Sequence, residues 1–214
     1  MSNLYASKLS NAHVLILGGS SGIGLAIASA ALCQNAKVTI SSSSASKISL
    51  SIFSLKKTFL HGEVYGHACN LAADDMEASI ADLIAATAKE GGEINHIVYT
   101  AADKLPMCPV SEITAERIAA AGKLRFQGPL LLAKHALKYL PKNAGSSITL
   151  TSGSVASKPY PNWSIIGGYA GALEGTTQIL AVDMKPIRVN VVEPGPTDTE
   201  LWNMPAAEYE KFKK

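Results

Sequence analysis

Short apolar runs alternate along this chain with longer segments whose apolar residues recur every three or four positions. The runs at 13–17, 37–41, 63–69, 96–100, 147–151 and 187–192 read as strands. Helices are expected at 23–34, 47–59, 74–89, 113–140 and 166–183, the fourth stopped by Pro141. The strand runs are apolar throughout rather than alternating, which fits strands buried on both faces of a parallel sheet. Six strands alternating with helices predict a doubly wound α/β domain. The expected strand order is 3-2-1-4-5-6, with ligands at the carboxyl ends of the strands. No composition break or linker divides the chain, so residues 1–214 are read as one domain.

Composition supports a packed domain: 47% of the 214 residues are hydrophobic and 17% are charged. The net charge of +2 is spread along the chain, so neither a nucleic-acid nor a membrane partner is expected. Cys33, Cys69 and Cys108 are odd in number and lack metal-ligand spacing, which predicts three buried thiols and no zinc or disulfide framework. The uncharged stretch 14–36 is long enough to imitate a membrane span, but GGSSGIG breaks it in the middle. The first residues, MSNLYASKLS, contain no apolar signal core, and a cytoplasmic location is expected.

Gly18-Gly19-Ser20-Ser21-Gly22-Ile23-Gly24 joins the first strand to the first helix. Glycine there permits a tight turn and lets backbone approach a pyrophosphate at a helix N-terminus. Gly18, Ser20, Ser21, Gly22 and Ile23 are therefore candidate dinucleotide contacts. Dinucleotide sites that prefer NAD(H) place an acid after the second strand to hold the ribose 2′-hydroxyl. Here that place holds Ser41 to Ser44, with Lys47 one turn on. Either the serines form a plain polar loop, or Ser42, Ser43 and Lys47 receive a 2′-phosphate, which favours NADP(H).

These motifs together resemble the short-chain dehydrogenases/reductases. The glycine turn resembles the family's TGxxxGIG, with Gly18 for Thr. Cys69-Asn70-Leu71 resembles its adenine-side C-D-L, and Tyr99-Thr100-Ala101-Ala102 stands where the family has N-N-A-G. Arg188 to Thr199 is similar to the RVNxVxPGxxxT segment beside the nicotinamide. The resemblance implies that Asn70, Leu71, Ala101, Pro194, Gly195, Thr197 and Thr199 also line the cofactor. It further implies a helix and a seventh strand after the sixth, which a chain ending at Lys214 does not supply.

The catalytic pattern departs from the family. The family pairs a Tyr with a Lys four residues later, the ammonium easing loss of the phenolic proton. Tyr169 is followed at that offset by Leu173. Matching the neighbouring Leu173-Glu174-Gly175 instead puts Ile166 and Ala170 in the two places, and neither can titrate. The family's helix Asn falls on Arg125, while its serine is Ser152, or Ser154 if the loop slides. Arg125 either holds a substrate carbonyl or makes a salt bridge on an interface helix. Asp103 is expected to be an exposed loop carboxylate, with pairing to a cation as the other reading. In Pro159-Tyr160-Pro161-Asn162-Trp163, Asn162 could orient a substrate and Trp163 wall it, or the loop could be a rigid connection.

A ketone needs a proton as hydride arrives; an iminium does not, because it becomes a neutral amine. The P-x-P-x-W loop without the Tyr/Lys pair is similar to a family branch of fungal alkaloid enzymes that reduce an iminium and then guide a Diels–Alder cycloaddition. An NADPH-dependent reductase of a small-molecule substrate, with Arg125, Ser152 and Asn162 in its site, is thus expected. The competing class is a catalytically inactive NADP(H)-binding scaffold or sensor. A homo-oligomer is also expected, because the helices around 130–140 and 173–182 carry more apolar residues than one sheet face needs.

Overall fold

The computed structural model describes residues 8–201. Its core is a six-stranded parallel sheet of β1 (His13–Leu17), β2 (Lys37–Ser42), β3 (Val64–Ala68), β4 (His96–Tyr99), β5 (Ser147–Thr151) and β6 (Arg188–Val192). The order is β3-β2-β1-β4-β5-β6, as the apolar runs predict. The chain winds outward from β1 in two directions, so the crevice at the carboxyl ends of β1 and β4 is the place for a ligand.

Helices α1 (Gly22–Cys33), α2 (Ala45–Thr58), α3 (Met76–Gly91), α4 (Ala115–Gly122), α5 (Gly128–Ala136) and α6 (Ser164–Asp183) cover the sheet. All five residues of β1 are buried, and four of them divide between two cores. Val14 and Ile16 pack with Ala28 and Leu32 of α1 and Ile48 and Leu55 of α2. Leu15 and Leu17 face the other way, into Ile80 and Ile84 of α3, Leu132 of α5 and Leu173 of α6. Burying both faces requires the continuous apolar strands seen in the sequence.

Three expectations need correction. The helix expected over 113–140 is broken: between α4 and α5 lies a π-helical turn, Lys123–Gln127, and α5 ends at Ala136. Two glycines flank the turn. A methyl at Gly122 would overlap the Tyr169 hydroxyl, and one at Gly128 the Tyr99 hydroxyl. Those hydroxyls donate to the Ile118 and Leu124 carbonyls at 2.9 and 2.8 Å, so two tyrosines hold the irregular backbone. Next, α6 starts at Ser164 rather than 166. Finally, Cys33 is exposed, whereas Cys69 and Cys108 are buried as expected.

At the amino-terminal rim of the sheet His13 is almost wholly buried. Its Nε2 lies 2.8 Å from the Thr39 hydroxyl and its Nδ1 3.3 Å from the Gly92 carbonyl. A neutral ring that donates from Nδ1 and accepts at Nε2 satisfies both. Burial holds its pKa below the ordinary value, with the Gly92 carbonyl opposing. His96 is lowered likewise, by burial and by Arg188. The unfolded chain therefore binds more protons below about pH 6.5, and stability falls as pH drops through that value. The urea midpoint is expected to decline from pH 7.5 to 5.5. In His13→Gln the decline should be shallower, and an unchanged slope would exclude His13 as a source of acid sensitivity.

Candidate active site

One cleft of about 700 Å³ runs across the carboxyl ends of the strands, and its walls come from the loops after all six strands and the helices beside them. The glycine turn forms its floor. Gly18 has φ +85°, and a methyl there would come within 2.7 Å of the Ala101 nitrogen. Gly24 is closer still, since a methyl would overlap the Gly18 carbonyl. The turn can therefore be built only without side chains at these points. Ser21 caps α1 with extended backbone and no side-chain hydrogen bond to the helix, and the first turn of α1 has no acidic residue. The leading N–H groups thus lack a side-chain cap, and the positive end of the helix faces the cleft.

Beyond the turn, β2 ends in the serine run. The Ser44 side chain accepts from the Lys47 amide and caps α2, which leaves Ser42, Ser43 and Lys47 on the cleft lining. Ser51 of α2 donates to the Ser20 carbonyl at 2.9 Å and ties this rim to the glycine turn. On the β3 side, Asn70 accepts from the Ala72 amide through Oδ1 at 3.1 Å, closing a small turn. Asn70 and Leu71 line the cleft here. Cys69 is buried behind them, its thiol pushed up to about 11 by burial.

The segment after β6 folds back over the floor. The Ser154 amide donates to the Pro194 carbonyl at 3.0 Å, and a methyl at Gly22 would come within 3.1 Å of the Thr199 side chain. Pro194, Gly195, Thr197 and Thr199 all line the cleft, as do Ile23 and Ala101. Every position that the sequence marks as a cofactor contact is thus gathered on one surface. The close approaches at Gly18, Gly22 and Gly24, with the uncapped N–H groups of α1, form a cradle suited to a dinucleotide pyrophosphate.

The far end of the cleft holds the residues suspected of chemistry. Ser152 and Ser154 both line it, and the Ser152 hydroxyl donates to the Ala170 carbonyl at 3.2 Å. Ile166 and Ala170 present a buried apolar face of α6. Trp163 is buried beside them, its ring 5.5 Å from that of Tyr160. Arg125 sits in the π turn. Its guanidinium pairs with Asp103 at 2.5 Å through Nη1 and donates through Nη2 to the carbonyls of Asp103 and Lys104. Asp103 is exposed in its loop, as expected, and is also an ion-pair partner of Arg125, the other reading of it.

Asn162 lies elsewhere. It is exposed, takes a left-handed backbone with φ +68°, and its carbonyl accepts from the Cys108 amide at 3.0 Å. The cleft lining does not include it. Sequence reasoning had also not assigned Thr151, whose buried hydroxyl oxygen on the cleft wall has no hydrogen-bond partner in the structure. Nor had it seen that Tyr99 and Tyr169 would each be committed to a carbonyl. Burial pushes the Tyr99 phenol far above its usual range. No group of three or more metal-ligating side chains occurs among the described residues.

Comparison with known proteins agrees with this geometry. A short-chain dehydrogenase/reductase from Gibberella fujikuroi, fsr5, is 41% identical over 202 residues, spanning 93% of this chain and 76% of its own. The enzyme malC of Malbranchea aurantiaca is 40% identical over 190 residues, 86% of this chain and 70% of its own. The solved MalC reductase/Diels–Alderase superimposes with a TM-score of 0.88 at 37% identity, covering 96% of this chain and 81% of that one. A Burkholderia cenocepacia short-chain dehydrogenase in complex with NADP shares the fold, with a TM-score of 0.84 at 24% identity over 95% of this chain and 82% of its own. The family model described as an SDR-like Rossmann domain matches residues 5–214, and the chain belongs to the short-chain dehydrogenases/reductases, oxidoreductases of the Rossmann fold.

Proposed function

We propose that this protein is an NADPH-dependent reductase with an atypical site, acting on a small preformed cation of the iminium type. The observation that carries the reading is the cleft face of α6, where Ile166 and Ala170 offer no titratable group. Two tyrosines on the lining, Tyr99 and Tyr169, already donate their phenolic hydrogens to carbonyls. Ser152 donates to a backbone carbonyl as well. Reducing a ketone creates an alkoxide that must be protonated, and general acid help is worth about 10²- to 10⁴-fold. An iminium becomes a neutral amine and forgoes that help.

Ser42, Ser43 and Lys47 would hold the 2′-phosphate, the glycine turn the pyrophosphate, and Pro194 to Thr199 the nicotinamide end. When bound, that cofactor supplies the hydride. The chain supplies the rest. Trp163 and Tyr160 form an aromatic wall that excludes water and receives an apolar cation by its ring faces. The Arg125–Asp103 pair is neutral as a unit, so the guanidinium does not drive a cation out, and its remaining donor capacity can orient a substrate carbonyl. The Malbranchea relative is named for both reductase and Diels–Alderase activity. We extend the second activity to this chain as the outer part of the proposal, with the same aromatic wall folding the reduced product on itself.

Three outcomes follow from this reading. NADPH should bind more tightly than NADH, and Ser43→Asp should reverse the order in calorimetric titrations; equal affinities in the unmodified protein would contradict the 2′-phosphate assignment. Tyr160→Phe and Tyr169→Phe should retain most turnover of an iminium substrate, while Arg125→Ala should lower kcat/KM about 10-fold or more, about 1.4 kcal/mol. Loss of turnover in either tyrosine variant would restore a tyrosine acid, and absence of turnover with every cation would favour the scaffold reading. Finally, Ile179 and Val182 of α6 are exposed, and so is Leu137 just beyond α5. We read this face as the contact between copies, so Ile179→Glu with Val182→Glu should shift sedimentation toward monomer. A monomeric unmodified protein would contradict it.

A further inference from the structure

The π turn stands between the two loops that rim the cleft, and two of its side chains reach in opposite directions. Arg125 reaches the loop after β4, as described. Lys123 reaches the loop after β3: its ammonium lies 3.2 Å from the Ala72 carbonyl, 3.5 Å from that of Ala73 and 3.2 Å from Asp74 Oδ1. An ammonium has three hydrogens and no acceptor, and here it meets three oxygens. The Ala72 carbonyl is available because the Ala73 amide in its own peptide plane donates to the Asn70 carbonyl, which turns the Ala72 oxygen the other way.

Lys123 does not line the cleft, whereas Asn70, Leu71 and Ala72 do. Any effect it has on a ligand therefore passes through the loop. The Lys123–Asp74 ion pair alone is weak, since Asp74 is fully exposed. The two carbonyls matter more, because they belong to the backbone that shapes the rim. Two positions apart in a helical turn, side chains 123 and 125 point to opposite sides of it. The turn thereby fastens one rim from each half of the sheet to a single short segment.

We infer that Lys123 is a positioning residue for the adenine end of the cofactor cleft, holding the 70–74 loop in its binding shape while Arg125 holds the opposite rim. The inference rests on the dinucleotide reading of the cleft. Its own content is that loop geometry on the β3 side depends on an ammonium donated from the α4–α5 junction.

The test uses the full chain, with Lys123→Met, Lys123→Arg and the surface change Asp74→Asn. Hydrogen exchange is followed in the ligand-free protein, and 2′,5′-ADP is titrated as the probe of the adenine end. Lys123→Met should speed exchange at amides 70–75 and leave 103–107 unchanged. It should weaken 2′,5′-ADP about 5- to 20-fold, and leave kcat at saturating NADPH as in the unmodified protein. Lys123→Arg should restore most of the binding, and Asp74→Asn should change it less than twofold. Unchanged exchange at 70–75 in Lys123→Met would overturn the inference whatever the cofactor. Faster exchange across both rims would overturn it too, as that marks general loosening. Failure of the unmodified protein to bind 2′,5′-ADP would instead overturn the dinucleotide reading, and the positioning role with it.

Discussion

Everything at the ligand-facing end of the sheet depends on one close approach, that of the glycine turn to the end of β4. Gly24 lies against the Gly18 carbonyl and the Thr100 hydroxyl, and that hydroxyl donates to the Leu17 carbonyl at 2.9 Å. The end of β1, the start of α1 and the end of β4 are thereby pinned at one point. From that point β2 and β3 lead away on one side and β5 and β6 on the other. The crevice between the two halves is a consequence of this winding, and the helix terminus that faces it follows from the turn. Side chains at Gly18 or Gly24 would separate the elements and remove the floor of the cleft.

The sheet was legible because its central strands β1 and β2 are buried on both faces. Leu15 and Leu17 serve one core while Val14 and Ile16 serve the other, and such a strand can only be written as an unbroken apolar run. The stretch 113–140 was less legible. A π turn adds one residue, so the apolar phase slips by one position while each side keeps its own three-to-four spacing, and one long helix is read across the slip. What creates it is tertiary: Tyr99 and Tyr169 press their hydroxyls against Gly122 and Gly128. Two glycines six positions apart in an apolar helix were the only local trace. The exposed Cys33 shows the same limit, since a thiol near the end of α1 carries no sign of which way it points.

The cleft lining around the glycine turn was readable because it is made largely of backbone, and glycine, serine and proline positions encode backbone shape directly. The far end of the cleft is made of side chains whose partners come from distant segments. Arg125 and Asp103 could each be named from the sequence, yet their pairing joins segments 22 positions apart. The loop at Asn162 illustrates the opposite outcome. A left-handed residue between Pro161 and Trp163 turns the chain so that Trp163 enters the wall, and Asn162 itself is left outside. Its contribution is conformational: it allows the aromatic ring to reach the cleft. Together these features leave a pocket with an aromatic side, an apolar wall on α6 and one neutralised ion pair. Such a pocket suits a substrate that arrives already charged and leaves neutral.

The central claim is that hydride transfer here needs no proton in flight, and a solvent isotope effect addresses it most directly. Single turnovers with an iminium acceptor would be followed by loss of NADPH absorbance in H₂O and in D₂O at matched pL. The account predicts equal rate constants in the two solvents, alongside a clear slowing when the transferred hydrogen of NADPH is replaced by deuterium. A solvent effect of twofold or more on the same step would contradict it, because a protein acid would then be delivering a proton in the transition state.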